Sequence, residues 1–150
     1  MAKTTNTLGS ILKNTKPEEL SGYLEENGDS LISSERPFSE YFRACLRTKG
    51  LQQQEVFINA DISESYGYKL ISGEKRTRQR DMLLRLCLGA RLSLEETQRA
   101  LMIYGFSPLY PRLPRDAALT VAINSGARDL SEVNELLRSN GMEPLRGTEE

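Results

Sequence analysis

Five cations, Lys69, Lys75, Arg76, Arg78 and Arg80, fall within twelve residues of a 150-residue chain that holds 20 Lys and Arg in all. What ammonium and guanidinium groups at that density do best is hold a polyanion. Screening confines their field to about one Debye length, ~8 Å, so the local balance matters more than the total. The formal net charge of −1 conceals that balance: residues 1–35 carry −3, residues 36–81 carry +3, and residues 82–150 carry −1. A solvated basic loop is the plain alternative. Position argues against it, because the cluster directly follows a short helix with a polar outer surface.

Other chemistries fare badly. With no His and with Cys45 and Cys87 as the two cysteines, a Cys/His zinc cage is all but excluded and a Ser-His or Cys-His nucleophile is impossible. Glu18-Glu19, Glu25-Glu26 and Glu95-Glu96 sit on helix surfaces, where neighbouring side chains diverge and cannot share one reacting atom. Gly73-Glu74-Lys75 lacks the upstream glycine and preceding strand of a phosphate-cradling loop. The chain reads as a non-enzyme with no cofactor and no metal. The two cysteines read as free, buried thiols in a reducing cytoplasm. No apolar run approaches the roughly 18 residues of a membrane span, and none near the start resembles a secretory signal.

Helices joined by short turns must position these groups, since period-2 alternation is rare. Met1 to Asn14 reads as a mobile polar tail. A helix opens near Pro17 with Thr15 and Glu18 at capping-box spacing, and stops at Asn27-Gly28. Ser30 to Pro37 reads as a linker. Phe38, Phe42, Cys45 and Leu46 then trace one face of an amphipathic helix closed by Gly50. A short helix from Gln53 to Ala60, a turn at Asp61-Ile62, and a helix capped by Ser63 and ended by Ser72-Gly73 must cross steeply.

The run Gln53-Gln54-Glu55-Val56-Phe57-Ile58-Asn59-Ala60-Asp61-Ile62-Ser63-Glu64-Ser65-Tyr66-Gly67-Tyr68-Lys69-Leu70-Ile71-Ser72-Gly73 resembles the helix-turn-helix of lambda-repressor-like (XRE-type) regulators. The likeness covers roughly residues 38–92. The chain departs from the family at Phe57, where a small Ala is usual, at Asp61, where Gly is usual, at Gly67, where a bulky aliphatic is usual, and at Ile71, often Glu. Phe57 and Gly67 face each other across the crossing in that fold. A large ring over a bare Cα would therefore conserve packed volume.

The resemblance implies duplex DNA as the partner, read in the major groove by helix 63–71. Its register turns Ile62, Gly67 and Leu70 inward and leaves Glu64, Ser65, Tyr68 and Lys69 outward. Lys69 can donate to guanine and Glu64 can accept from cytosine, while Ser65 is ambiguous. Tyr66 and Tyr68 can touch a thymine methyl or a phosphate. Backbone N–H groups beside Gln53 and Ser63 suit phosphate oxygens. Lys75, Arg76, Arg78 and Arg80 lie where family members meet the DNA backbone.

The second half echoes itself. Arg80-Asp81 recurs as Arg115-Asp116, and Leu94, Glu96, Leu101, Gly105, Phe106, Pro108 and Leu109 recur 36 residues later as Leu130, Glu132, Leu137, Gly141, Met142, Pro144 and Leu145. This reads as two helix hairpins joined by a stiff, extended, proline-rich strap over 107–114, with chance similarity of short capped helices as the competing explanation.

The expectation is an all-α protein in three parts. These are a tail and helical arm over 1–35, a helix-turn-helix domain over 36–92, and a helical extension over 93–150 packed on the core. The extension offers a surface for a homodimer. The expected function is transcriptional regulation. The alternative is a protein-interaction module that kept the fold and lost the DNA, as the acids Glu64 and Glu74 beside the contact surface would suit.

Overall fold

The computed structural model describes residues 3–31, 36–127 and 129–150. Among them are nine α-helices and no strand. No described helix is long and apolar enough to cross a membrane. The chain forms two compact units, Met1–Glu35 and Arg36–Glu150.

In the first unit the expected tail is a helix, α1 (Thr5–Lys13). Thr4 caps it by accepting from the Thr7 N–H, and Leu8, Ile11 and Leu12 give it one apolar face. A single 3₁₀ turn at Pro17–Glu19 leads into α2 (Leu20–Glu26), which stops at Asn27. The cap expected from Thr15 and Glu18 does not form. Instead the Glu19 carboxylate accepts from the Lys16 N–H, and the Thr15 hydroxyl donates back to Ile11 O. The linker expected over Ser30 to Pro37 falls largely outside the described residues.

The second unit begins with α3 (Pro37–Lys49), which buries the predicted stripe of Phe38, Phe42, Cys45 and Leu46. Gly50 ends it in the left-handed region at φ 66°. Next come α4 (Gln53–Ala60) and α5 (Glu64–Ser72), joined by Asp61 at φ 54°, ψ 50°. Asp tolerates that conformation better than most residues, which is why the missing glycine does no harm here. The Ser63 side chain accepts from the Tyr66 N–H and starts α5.

Phe57 is 1% exposed, and its ring lies on the bare Cα of Gly67. A Cβ at Gly67 would stand 2.3 Å from Phe57 Cε1, far inside contact distance. The large ring and the bare Cα therefore fill one packed volume between them, as expected for these two residues across the crossing. Behind the pair runs α6 (Arg80–Gly89), almost wholly buried. At its end a Cβ on Gly89 would meet the Val56 carbonyl at 2.5 Å, so α4 and α6 touch backbone to backbone.

α7 (Leu94–Tyr104), α8 (Pro114–Asn124) and α9 (Leu130–Ser139) complete the unit. Ser93 and Glu96 form a reciprocal cap of α7, and Asp129 caps α9 through the Glu132 N–H. Both second helices end as their Gly-plus-apolar signature requires: Phe106 N–H donates to Leu101 O at 2.8 Å and Met142 N–H to Leu137 O at 2.9 Å.

The internal echo is realised as a reciprocal clamp. Arg80 donates a two-pronged pair of hydrogen bonds to Asp116, at 2.9 and 3.0 Å, and Arg115 does the same to Asp81, at 2.9 and 2.9 Å. Each guanidinium also binds the two carbonyls after a second helix, Ser107 and Pro108 for Arg80 and Glu143 and Pro144 for Arg115. Gln98 accepts from Leu109 N–H, and Asn134, 36 positions later, accepts from Leu145 N–H.

Equivalent residues of the two hairpins thus make equivalent bonds. The strap is less extended than its prolines suggested: Leu113 N–H donates to Tyr110 O across a tight turn at 111–112. One apolar cluster runs from Phe38 to Leu145 without a break at residue 92. Cys45 and Cys87 are buried and unpaired with each other.

Candidate nucleic-acid interface

Helix α5 owes its place to the turn before it, and a residue the sequence reading passed over holds that turn. Arg85, 7% exposed, points from α6 under the α4–α5 junction. It donates from Nε to Ala60 O at 3.1 Å and from Nη2 to Asp61 O. These carbonyls end α4 and would otherwise lack partners. Asn59 adds a bond from Nδ2 to Gly89 O at 3.0 Å. The junction is thus pinned to α6 by charge-assisted and neutral hydrogen bonds rather than by apolar contact alone.

The outer face of α5 presents Glu64, Ser65 and Tyr68, all exposed, with Lys69 half-buried beside them. The Tyr68 ring stands edge-on to Phe57 with centroids 5.0 Å apart, so its hydroxyl end is aimed by packing rather than free to swing. Gly67, Leu70 and Ile71 are buried, and so is Ile62 in the turn before the helix.

Tyr66 does not belong to the outer face. It is 5% exposed, four residues before Leu70 on the inward stripe, and its buried hydroxyl has no hydrogen-bond partner among the described residues. Helical spacing puts it in the core, out of reach of the thymine methyl or phosphate it was expected to touch.

The basic cluster divides. Arg78 is exposed, with no hydrogen bond or ion pair among the described residues, and Lys75 is exposed. Arg76 is exposed yet partly committed: Nη2 donates to Tyr104 O at 2.6 Å and the guanidinium lies 4.3 Å from the Tyr104 ring centroid.

Arg80 is removed from the set. All three of its guanidinium nitrogens donate to Asp116 or to the strap carbonyls, so it acts as a clamp residue rather than a phosphate ligand. Burial alone would raise the Asp116 pKa. The hydrogen bonds from Arg80 and the Tyr110 N–H outweigh that and hold it below the usual carboxylate range.

Gln53 lies at the start of α4, where the helix dipole favours an anion, although the Gln52 N–H there already donates to the Glu55 carboxylate at 3.4 Å. Beside it are two cations absent from the sequence-based set. Arg43 and Arg47, one turn apart on α3 and both exposed, line a shallow cleft of about 210 Å³ with Leu46, Leu51, Gln52 and Gln53. Their i, i+4 spacing just before Gly50 was the available signal.

At Ser63 the start of α5 already holds an anion. Its N–H donates to Glu149 Oε2 at 2.9 Å and its hydroxyl to Glu149 Oε1. These bonds hold the Glu149 carboxyl below its ordinary range.

Comparison with protein-family models, curated proteins and solved structures gives no match for this chain. Among the described residues no group of three or more Asp, Glu or Cys is placed to hold a metal ion.

Proposed function

We propose that residues 36–150 bind duplex DNA in a sequence-specific manner and act as a transcriptional regulator, with α5 entering the major groove. One observation carries this reading. A pinned helix-turn-helix presents a polar outer face on its second helix, beside exposed cations and two anion-favouring helix starts. Ser65, Tyr68, Lys69 and Glu64 read base edges. Lys75, Arg76, Arg78, Arg43, Arg47 and the backbone N–H groups at Gln53 and Ser63 hold phosphates. A two-fold dimer spanning half-sites one DNA turn apart would use the α7–α9 side, where Met102 and Val121 are exposed.

The test is nonspecific duplex binding by fluorescence anisotropy between 50 and 200 mM salt. Five phosphate contacts, one for each named cation, give a log–log slope of about −4.5, and hence a loss of affinity of roughly 500-fold over that range. Absence of binding at 50 mM, or a flat salt response, overturns the proposal.

A protein-interaction module on the same fold is the second reading. Ile58, 79% exposed in the middle of α4, favours it, as do the exposed acids Glu64 and Glu74. Under that reading Ile58→Asp abolishes capture of a protein partner, and the duplex experiment gives nothing.

A further inference from the structure

The segment after α9 does not trail into solvent. Gly147 O accepts from Arg85 Nη1 at 3.3 Å, from the same guanidinium that pins the α4–α5 turn. Gly147 adopts φ 135°, and a Cβ there would press on Met82 Cε at 3.1 Å and Gln79 Oε1 at 3.2 Å, so glycine is required for the close approach.

The Gln79 side-chain amide brackets the Thr148 backbone, accepting from its N–H at 2.9 Å and donating to its carbonyl at 3.0 Å. Glu149 then places both carboxylate oxygens on the N-cap residue of α5. The backbone carbonyl of Glu150 takes the Lys75 ammonium at 2.6 Å, while its carboxylate accepts from Gln79 Nε2 at 3.0 Å. The Glu149 carboxylate thus lies on a helix start, and the Glu150 backbone oxygen on a lysine, that the proposed function assigns to DNA phosphates.

We propose that residues 147–150 are an intramolecular competitor for the phosphate-binding end of α5, with the Glu149 carboxylate seated where a DNA phosphate would bind, so that duplex binding requires this segment to leave. The proposal rests on the DNA-binding reading and adds a gate to it. The geometry has the properties of a gate. The segment is anchored upstream at Leu145, which is 3% exposed, and again at Gly147. Beyond Gly147 it is held by hydrogen bonds at exposed positions, each worth little in water and easily exchanged for those of a polyanion. Release uncovers the Ser63 N–H and hydroxyl, Lys75 and Gln79 together.

The experiment compares duplex affinity at 100 mM salt for the full chain, for Glu149→Gln/Glu150→Gln and for a chain lacking residues 147–150. Glu132→Gln/Glu135→Gln is a control that removes two exposed acids elsewhere. Deletion should tighten binding about tenfold and the double Gln variant several-fold, while the control should change it less than twofold. In ¹H–¹⁵N spectra of the full chain, addition of duplex should move the Thr148 amide, freed from Gln79 Oε1, toward its unfolded-chain position.

Equal affinity of the deleted and full chains overturns the gate while leaving DNA binding standing. So does an equal gain from the control, which would mean that net charge alone is at work. A lower melting temperature with unchanged affinity would make the segment a structural strap. If even the deleted chain binds no duplex, the DNA reading fails and the gate falls with it.

Discussion

Gly67→Leu should cripple the protein on its own and be harmless once Phe57 is Ala. The Leu Cβ would begin 2.3 Å from the Phe57 ring, with three more carbons beyond it, in a site where Phe57 is 1% exposed and cannot swing into solvent. Overpacking of that kind costs about 3 kcal/mol, partly offset by about 1 kcal/mol from replacing glycine within a helix. Phe57→Ala alone leaves a ring-sized hole and costs about 3–4 kcal/mol. In the double variant the leucine fills the hole, so each change should rescue the other, with a coupling of at least about 2 kcal/mol. Urea unfolding followed by far-UV circular dichroism measures all four corners of the cycle. A coupling under about 0.5 kcal/mol would mean that the ring and the glycine are independent and do not share one packed volume.

Asp116 supplies a pH-dependent test. Its pKa is lower in the folded protein than in the unfolded chain, so its contribution is complete above about pH 4 and disappears as acid protonates the folded form. The melting temperature of the parent should therefore fall relative to that of Asp116→Asn between pH 5 and pH 3, and a constant gap would exclude the clamp as the cause. Arg85→Leu leaves the Ala60 and Asp61 carbonyls unpaired and should cost about 2–3 kcal/mol, with amide exchange accelerated first at the α4–α5 turn. Arg43→Gln/Arg47→Gln should make the duplex salt slope shallower by about 1.8, whereas Arg80→Lys should lower stability and leave that slope alone; a slope unmoved by the first pair places those arginines off the DNA.

What the sequence made legible was local. Ser63, Ser93 and Asp129 as caps, Gly50, Gly73 and Gly105 as left-handed helix ends, and Asp61 as a tolerated substitute depend on residues at most a few positions apart. So does the stripe of α3. The Phe57–Gly67 contact was visible because a family register supplied the pairing that spacing alone does not.

Tyr66 was given a DNA contact although it lies four residues before Leu70, on the inward stripe. Arg80 was misplaced because its partner lies 36 residues away, although the repeated Arg-Asp pair was in plain view. Met1 to Asn14 looked structureless because its polar residues outnumber Leu8, Ile11 and Leu12, yet one capped apolar face suffices for α1. Nothing local singles out Arg85, flanked by leucines, or Glu149, which reads as an ordinary solvated acid.

The reciprocal bonding of Arg80 with Asp116 and Arg115 with Asp81 is the isologous pattern by which two copies of a protein pair about a diad, here closed within a single polypeptide. Each hairpin already has its mate. Any assembly of whole molecules must therefore draw on other residues, and a lone hairpin cut from this chain would bare a guanidinium and a carboxylate suited to finding a twin.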